Sequence, residues 1–409
     1  MRCRHCNTPL ELPLVDLGSA PPSNNYLTST ALKGPELWFP LRVLVCHSCW
    51  LVQTEDFARA DELFNDDYAY FSGFSASWVD HAKQYVQKMT GRLALDKSSL
   101  VIEVAANDGY LLQHVKERGV PCLGIEPTAS TASAAREKGI SIIQEFFGVA
   151  LGERLATEGR QADLTVANNV LAHVPDINDF SGGFARVLKP AGVATFEFPH
   201  VLNLIEQSQF DTIYHEHFSY LSLVAVQRIF AANGLFVFDV EELPTHGGSV
   251  RLYAQRSDTG ERPVSARVET VMERELAAGL TSERGYTGFQ AKADRVKDDF
   301  VAFLINAKEQ GKRVAGYGAA AKGNTLLNYG GVKSDLLSFV VDRNPAKQSR
   351  YLPGSRIPVV SEQRLQQERP DYVVILPWNL SNEVMNQLAY IREWGAVFVT
   401  AVPTLRTQR

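Results

Sequence analysis

Short apolar runs that alternate with helical segments dominate two parts of the chain. In the first part, residues 100–104 have the length and composition of a buried strand, and residues 110–118 have the spacing of an amphipathic helix. A second strand at residues 121–125 follows. A similar series of short apolar runs begins at residues 313–315. This order predicts two α/β units, each built on a doubly wound parallel sheet.

The turn after the first strand has the composition of a ligand-binding loop. Residues 105–109 read A-A-N-D-G, small residues that let a ligand approach the backbone. Glu126 ends the second strand, where a carboxylate can accept hydrogen bonds from two ribose hydroxyls. The turn has no Lys or Arg to meet a pyrophosphate, so its acids favour a cationic sulfonium ligand. We therefore expect S-adenosylmethionine rather than NAD, bound by Glu103, Ala105, Asn107, Gly109, Glu126, Asn168 and Asn169. An ordinary βαβ unit without a ligand is the alternative.

Composition narrows the class of protein. A chain of 409 residues is too long for one simple core, so we expect two or three domains. Its apolar fraction of 45% and charged fraction of 21% are those of a globular protein, and its net charge of −5 argues against nucleic-acid binding. No apolar run approaches the roughly 20 residues that span a membrane, and we see no secretory signal. We expect a cytoplasmic enzyme without a membrane partner.

Four of the five cysteines form two C-x-x-C pairs, at residues 3–6 and 46–49. This spacing lets both thiolates of a pair face one tetrahedral ion, as in a zinc ribbon. The alternatives are disulfides, which a cytoplasmic setting disfavours, and replacement of one cysteine by His5 or His47. We predict a structural zinc ion bound by Cys3, Cys6, Cys46 and Cys49.

Residues 210–220, F-D-T-I-Y-H-E-H-F-S-Y, carry an unusual density of proton-transfer groups. The H-E-H spacing is not the H-E-x-x-H of zinc proteases, so general acid–base chemistry is favoured over a metal site. On an extended segment, His215 and His217 would share a face. The loop at residues 244–249 places His246 beside two glycines, suited to close ligand contact. Residues 65–72 are either a domain boundary or a loop that carries Tyr68 toward the site.

The second α/β unit has a G-x-G-x-x-A turn at residues 316–321, followed by Asp342 after the next strand. Alone, this pattern is typical of dinucleotide binding, and it supports an NAD(P)-dependent oxidoreductase as the competing function. It is not a Walker loop, because Lys322 precedes Gly323. Lys322 instead indicates an anionic phosphate ligand. The competing function leaves Glu126 and the H-E-H segment unexplained, and so does a non-enzymatic scaffold.

The chain resembles the S-adenosylmethionine-dependent sugar C-methyltransferases over nearly its whole length. The motifs that carry this resemblance are the two C-x-x-C pairs, E-V-A-A-N-D-G-Y-L, Y-H-E-H-F-S-Y, H-G-G-S and G-Y-G-A-A-A-K-G. The resemblance implies an N-terminal zinc-binding β module (1–74), a central class I methyltransferase domain (75–256), and a helical linker with a second Rossmann-like domain (257–409). It implies a nucleotide-linked keto-deoxysugar as substrate, with dTDP as the expected nucleotide. The family's base falls on His217, and its partners fall on Glu216, Tyr214, His173 and Tyr68.

Carbon acidity gives the expected mechanism. A carbon beside a ketone loses a proton if the enolate oxygen is stabilised, and a neutral His217 can take that proton. Glu216 or a backbone carbonyl could set its tautomer, and the resulting carbanion would attack the sulfonium methyl. We expect methylation next to the ketone of a 4-keto-deoxysugar, at C-3, by a monomer. The predicted substrate-binding residues are His246, Lys322, Asn324 and Trp378.

Overall fold

The strands of the chain form three sheets, which carry the functional segments described above. The computed structural model describes residues 1–57 and 71–409, so Tyr68 lies outside the described residues. The strands are β1 (Leu12–Ala20), β2 (Phe39–Val45), β3 (Val52–Thr54), β4 (Val101–Val104), β5 (Cys122–Ile125), β6 (Ile142–Ile143), β7 (Ala162–Asn168), β8 (Leu188–Pro199), β9 (Ser219–Tyr220), β10 (Leu235–Leu243), β11 (Ser249–Arg256), β12 (Val314–Tyr317), β13 (Val340–Val341), β14 (Val359–Val360), β15 (Tyr372–Ile375), β16 (Val397–Thr400) and β17 (Arg406–Gln408).

The α-helices lie between these strands and around the sheets. They are α1 (Ala76–Arg92), α2 (Leu112–Glu117), α3 (Ala129–Glu137), α4 (Val149–Thr157), α5 (Ile177–Val187), α6 (Val201–Glu206), α7 (Leu223–Ala232), α8 (Ala266–Ala277), α9 (Phe289–Glu309), α10 (Ala321–Tyr329), α11 (Gln363–Glu368) and α12 (Ser381–Gln387).

The N-terminal sheet has the order β1-β2-β3-β9, with antiparallel neighbours. Its last strand comes from the central part of the chain, since Val52 pairs with Tyr220 and Gln53 with Ser219. The end of the Y-H-E-H-F-S-Y segment is therefore an edge strand of the N-terminal sheet. This pairing attaches the segment that contains His217 to the cysteine-bearing module.

The central sheet has the order β10-β11-β8-β7-β4-β5-β6. The strands from β8 to β6 are parallel, and β11 is antiparallel to both of its neighbours. This is the strand order of a class I methyltransferase, which confirms the fold predicted for the central domain. Helices cover both faces, so the strand residues are almost continuously buried, as in other parallel sheets. The carboxyl ends of its parallel strands meet at one edge, where ligands bind in open α/β sheets.

The C-terminal sheet has the order β14-β13-β12-β15-β16-β17, parallel except for β17. One hydrophobic core joins this domain to the other two. It contains Leu41 and Val43 of the N-terminal sheet, Phe210 of the central segment, and Phe300 and Val374 of the C-terminal part. Because these side chains pack together, the loops of the three modules are held against one another. In the described part of the chain, we find no helix with both the length and the apolar character needed to cross a bilayer.

Candidate active site

The four predicted zinc ligands lie together. The thiols of Cys3, Cys6, Cys46 and Cys49 are within 4.8 Å of one another, and all four cysteines are free. The Sγ atoms are 3.5 Å apart between Cys3 and Cys49 and between Cys6 and Cys46. A tetrahedral ion with Zn–S bonds of about 2.3 Å places its ligands about 3.8 Å apart, so the cluster fits zinc.

No other predicted metal site is formed by the described residues. The four cysteines are the only group of three or more potential ligands that the structure brings together there. The His5 ring instead lies 2.7 Å from Asn178 Oδ1 at the start of α5. This geometry does not support His5 as a zinc ligand. It also does not support a metal site in the H-E-H segment.

The turn after β4 has the geometry of a ligand loop. Ala105, Asn107 and Gly109 all have positive φ angles, of 57°, 49° and 74°. At Gly109, a Cβ atom would lie 2.4 Å from Ile140 Cδ1, so this position needs glycine for both its φ angle and its space. Glu126 joins this turn to β5, because its Oε2 accepts from Asn107 N at 2.9 Å and its Oε1 accepts from Thr128 N at 2.9 Å. Its carboxylate is thereby fixed at the edge of the sheet.

Several buried polar groups at this edge have no partner. Both amide atoms of Asn168 and Oδ1 of Asn169 are buried without a hydrogen bond, whereas the buried carboxyl group of Glu103 has the Tyr110 side chain as a partner. Burial raises the pKa of Glu103 well above its ordinary value, and the charges of Asp108 and Glu126 raise it further. Unsatisfied buried polar groups are rare in native proteins, and they are expected where a ligand completes the site. A donor with a ribose diol, a cationic sulfonium and an ammonium group fits this set of acceptors.

His217 lies next to this edge and is 9% exposed as a residue. Its Nδ1 is 2.8 Å from the carbonyl oxygen of Thr212. Because a carbonyl only accepts, Nδ1 carries the proton and Nε2 has the free lone pair. Burial lowers the pKa of His217 well below 6.5, and the positive charges nearby lower it further. The imidazole is therefore neutral and has a fixed tautomer, set by the backbone carbonyl and not by Glu216.

Two of the predicted partners surround this ring. Ring centroids lie 4.0 Å apart between Tyr214 and His217, and 4.6 Å apart between His173 and His217. Burial lowers the pKa of His173 to about 4. His215 does not share a face with His217, as an extended segment would require. The chain turns at residues 215–216, and His215 Nε2 lies 3.1 Å from the carbonyl of Pro40, away from the other imidazole.

Glu216 is almost completely buried and faces the N-terminal module. Its Oε1 accepts from Asn24 Nδ2 at 3.1 Å, and its Oε2 is buried without a partner. Burial raises the pKa of Glu216 to about 6. A half-satisfied carboxyl group with this pKa can hold or release a proton close to neutral pH.

The H-G-G-S loop brings His246 to the same region. Asn169 Nδ2 donates to His246 Nε2 at 3.0 Å, so the proton of this imidazole is on Nδ1. Burial lowers the pKa of His246 to about 4. Thr245, beside it, donates to Glu197 Oε1 at 2.9 Å. Glu197 is buried and also lies 2.9 Å from His81 Nε2, which ties the loop to α1.

The C-terminal domain contributes Lys322 and Trp378. The Lys322 ammonium lies 4.9 Å from the centroid of the Trp378 ring and 2.7 Å from Asn379 Oδ1. Trp378 Nε1 donates to Asp211 Oδ2 at 2.7 Å. Burial lowers the pKa of Lys322, and the charge of this lysine is close enough to lower the pKa of His217 and His246. The loops of the central and C-terminal domains therefore meet around the imidazoles.

Asn324 is bonded to the N-terminal module. Its Nδ2 donates to the carbonyl of Ser23 at 2.6 Å, while its Oδ1 is buried without a partner. The neighbouring Thr325 donates to the carbonyl of Ile213 at 2.7 Å. The structure thus brings together every described residue of the predicted catalytic and substrate-binding sets, at a junction of all three modules.

The G-x-G-x-x-A turn is not arranged as an open dinucleotide site. Asp342, which would bind a ribose, uses Oδ2 to accept from Ala319 N and Oδ1 to accept from Asn344 N, both at 2.8 Å. The Tyr26 hydroxyl of the N-terminal module donates to the carbonyl of Ala319 at 2.5 Å. Glu126 accepts from two backbone N–H groups in the same way, so it is the contact with Tyr26, and not the bonding of Asp342, that disfavours the oxidoreductase alternative.

Sequence reasoning missed three residues of this region: Asp211, Asn24 and Glu197. Each acquires its position only through tertiary contacts. A signal was available for Glu197, because it is an acid near the carboxyl end of a parallel strand. Asp211 stands in the segment that was singled out for its proton-transfer groups.

Comparisons with known proteins agree with this architecture. Three family models match the chain in order, described as "Putative zinc binding domain" (residues 3–64), "Methyltransferase domain" (residues 78–240) and "C-methyltransferase C-terminal domain" (residues 244–403). C-methyltransferase NovU from Streptomyces niveus is 33% identical over 404 residues, which are 99% of this chain and 96% of NovU. The chain belongs to the C-methyltransferase family. It is an S-adenosylmethionine-dependent methyltransferase with a structural zinc ion.

More distant relatives match only part of this C-methyltransferase. The ubiquinone biosynthesis O-methyltransferase of Bordetella avium is 26% identical over 143 residues, 31% of this chain and 57% of that protein. The magnesium protoporphyrin IX methyltransferase of Synechocystis, solved with bound S-adenosylhomocysteine, has 17% identity and a TM-score of 0.35, covering 44% of this chain and 85% of that one. The PH0226 protein of Pyrococcus horikoshii has 13% identity and a TM-score of 0.38, covering 46% and 95%.

Proposed function

We propose that this enzyme methylates the carbon next to the ketone, C-3, of a nucleotide-linked 4-keto-deoxysugar, with dTDP as the nucleotide. The observation that carries the proposal is the buried, neutral His217, whose tautomer is fixed by the Thr212 carbonyl. A saturated carbon has no electron pair to offer the methyl group until a C–H proton is removed. A ketone next to that carbon makes the proton acidic enough for an imidazole to remove.

In this proposal, His217 Nε2 takes the proton, and neighbouring donors stabilise the enolate oxygen. Tyr214 and His173 are suited to that role because their rings lie 4.0 Å and 4.6 Å from the His217 ring. Tyr68 joins them by the resemblance to the sugar C-methyltransferases. Glu216, whose pKa burial raises to about 6, is proposed to exchange protons with the site. Each positioned acid or base contributes about 10² to 10⁴ in rate.

The donor side follows from the residues at the edge of the central sheet. Bound S-adenosylmethionine supplies an electrophilic methyl group. We assign the ribose diol to Glu126, because its carboxylate is held at the end of β5 by two backbone N–H groups. The carboxyl group of Glu103 and the amides of Asn168 and Asn169 are assigned to the cationic methionine end, because all three residues lie at this edge of the sheet. The turn through Ala105, Asn107 and Gly109 lets the ligand approach the backbone.

The nucleotide sugar is assigned to the junction of the three modules. Lys322 stands in the first turn of α10, so its ammonium and the helix N-terminus both favour the diphosphate. Trp378, His246 and the free Oδ1 of Asn324 line the same junction.

The direct test is incubation of the zinc-loaded protein with S-adenosylmethionine and dTDP-4-keto-6-deoxyglucose. We expect mass spectrometry to show one added methyl group and NMR to place it on the carbon beside the ketone. S-adenosylhomocysteine at about 100 times its dissociation constant should stabilise the protein by roughly 2.7 kcal/mol, and NADH should not. Methylation on oxygen or nitrogen, or stabilisation by NADH alone, would contradict the proposal.

A further inference from the structure

Asp211 is a buried carboxylate to which the mechanism above gives no role. Asp211 is 1% exposed. Oδ2 accepts from Trp378 Nε1 at 2.7 Å, and the backbone N–H groups of Asp211 and Thr212 lie near the carboxyl group, but Oδ1 is buried and no other side chain donates to it. A buried acceptor without a partner lowers the stability of the folded protein. A ligand that donates a hydrogen bond to it would remove this cost.

The position of Asp211 relates it to the reacting groups. It lies in the short 3-10 helix Phe210–Thr212, and the next residue, Thr212, holds Nδ1 of His217. Its partner Trp378 packs against the H-G-G-S loop so closely that a Cβ atom on Gly247 would lie 2.4 Å from Cη2 of the indole. Asp211 therefore lies where three parts of the chain meet: the segment that contains His217, the loop that contains His246, and the C-terminal domain.

The charges at this point select the kind of ligand. Burial raises the pKa of Asp211 to about 6, and the ammonium of Lys322 opposes that rise. Near pH 7.5 the group is mainly a carboxylate, which accepts hydrogen bonds and cannot donate them. A diphosphate would be repelled by this carboxylate and attracted by the lysine. The partner of Oδ1 must therefore be an O–H or N–H donor, and the substrate carries such donors on its sugar ring.

We propose that Asp211 is a sugar-binding residue, whose Oδ1 accepts a hydrogen bond from a hydroxyl or amino group of the ring while Oδ2 holds Trp378. This inference rests on the proposed nucleotide-sugar substrate. It gives the enzyme a means of choosing among keto-deoxysugars, because a ring without the donor would leave the buried oxygen unpaired.

The test compares the affinity for the nucleotide alone with the affinity for the nucleotide-linked sugar. Calorimetric titrations with dTDP and with dTDP-4-keto-6-deoxyglucose, in the presence of S-adenosylhomocysteine, are compared for the wild type and Asp211→Asn. We expect Asp211→Asn to bind the keto sugar about ten- to a hundredfold more weakly, the range for a hydrogen bond to a charged group, and to bind dTDP as the wild type does. Unchanged binding of S-adenosylhomocysteine shows that the variant is folded.

Trp378→Phe is the control for the other oxygen, because it removes the Asp211–Trp378 hydrogen bond, which the amide oxygen in Asp211→Asn can still accept, and it keeps an aromatic ring. It should weaken sugar binding less than Asp211→Asn. Asp239→Asn, which removes a buried carboxylate bonded to Arg92 and Arg267, should leave both affinities unchanged. Equal losses in Asp211→Asn and Trp378→Phe, or equal losses for dTDP and the keto sugar, would overturn the inference. Failure of the proposed substrate itself would appear in the wild type, as absence of binding to both probes.

Discussion

At the scale of single residues, Glu126 is central to the proposed donor site. Its two oxygens are already bonded to the backbone N–H groups of Asn107 and Thr128, so the carboxylate shapes the turn as well as offering lone pairs to a ribose. The acid at the end of the second strand could be predicted from sequence, because its position follows from the strand pattern. Its bonds to the turn could not, because they depend on the positive φ angle of Asn107.

We expect Glu126→Ala to weaken the binding of S-adenosylhomocysteine by about 1.5–3 kcal/mol, the range for hydrogen bonds to a charged group. Glu126→Gln is the matched control. It should lose less, since its amide oxygen still accepts one bond. Isothermal titration calorimetry measures both values. An affinity of Glu126→Ala equal to that of the wild type would reject the assignment of the ribose to this residue.

The pH dependence of proton removal is a second property of single residues. Because burial lowers the pKa of His217 well below 6.5, the imidazole stays neutral and competent until the pH falls below that lowered value. Burial raises the pKa of Glu216 and of Asp211 to about 6, so any acidic loss near that pH belongs to these carboxyl groups.

We therefore expect the rate of substrate deprotonation to be level from pH 7 to 8. If the deprotonation rate falls near pH 6, the pH at which it falls should change in Glu216→Gln or in Asp211→Asn. Rates of solvent-deuterium exchange across this range provide the measurement. If the rate instead falls near the ordinary pKa of histidine, and does so equally in both variants, His217 titrates normally and burial does not lower its pKa.

At the scale of elements, sequence patterns located most of the strands and helices but not every connection between them. The strands predicted at residues 100–104 and 121–125 are observed as Val101–Val104 and Cys122–Ile125, and each begins one residue later than predicted. The strand Leu12–Ala20 was not predicted, since Pro13, Asp16 and Gly18 interrupt its alternation and its pairing with β2 shifts register twice. The two-residue strand Ser219–Tyr220 is too short to carry a pattern of its own.

That short strand gives the zinc module a part in forming the active site. Thr54 Oγ1 in β3 donates to the carbonyl of His217 at 2.9 Å, beside the pairing of β3 with β9. β3 follows directly on Cys46 and Cys49, so a zinc ion bound there would stabilise the strand that holds the segment with His217. Asn24 and Tyr26 extend the same module to Glu216 and Ala319.

We expect purified protein to contain about one zinc ion per chain, and the double variant Cys46→Ala, Cys49→Ala to lose it. Loss of the ion should abolish substrate deprotonation while leaving the binding of S-adenosylhomocysteine largely intact, because the donor site lies in the central domain. Elemental analysis and calorimetry give the two readouts. Stoichiometric metal in the double variant, or unimpaired exchange without metal, would contradict this account.

At the scale of the whole molecule, three modules place their loops around one buried imidazole. The resemblance to sugar C-methyltransferases identified His217 in the sequence, but the reason for its neutrality appears only when the modules are assembled. Tyr214 and His173 cover the ring, Thr212 fixes its tautomer, and Lys322 of the C-terminal domain adds a nearby positive charge. Without that resemblance, the residue pattern did not distinguish His217 from His215, because their separation depends on the turn at residues 215–216.

The central claim is that His217 removes the proton before the methyl group is transferred. The most direct measurement is the exchange of the proton beside the ketone of dTDP-4-keto-6-deoxyglucose with solvent deuterium, followed by NMR with S-adenosylhomocysteine bound, so that no methyl transfer occurs. We predict exchange in the wild type, exchange at a similar rate in His215→Asn, and a rate lower by about 10² or more in His217→Asn, with binding of both ligands retained. Exchange in His217→Asn at the wild-type rate would show that another residue is the base.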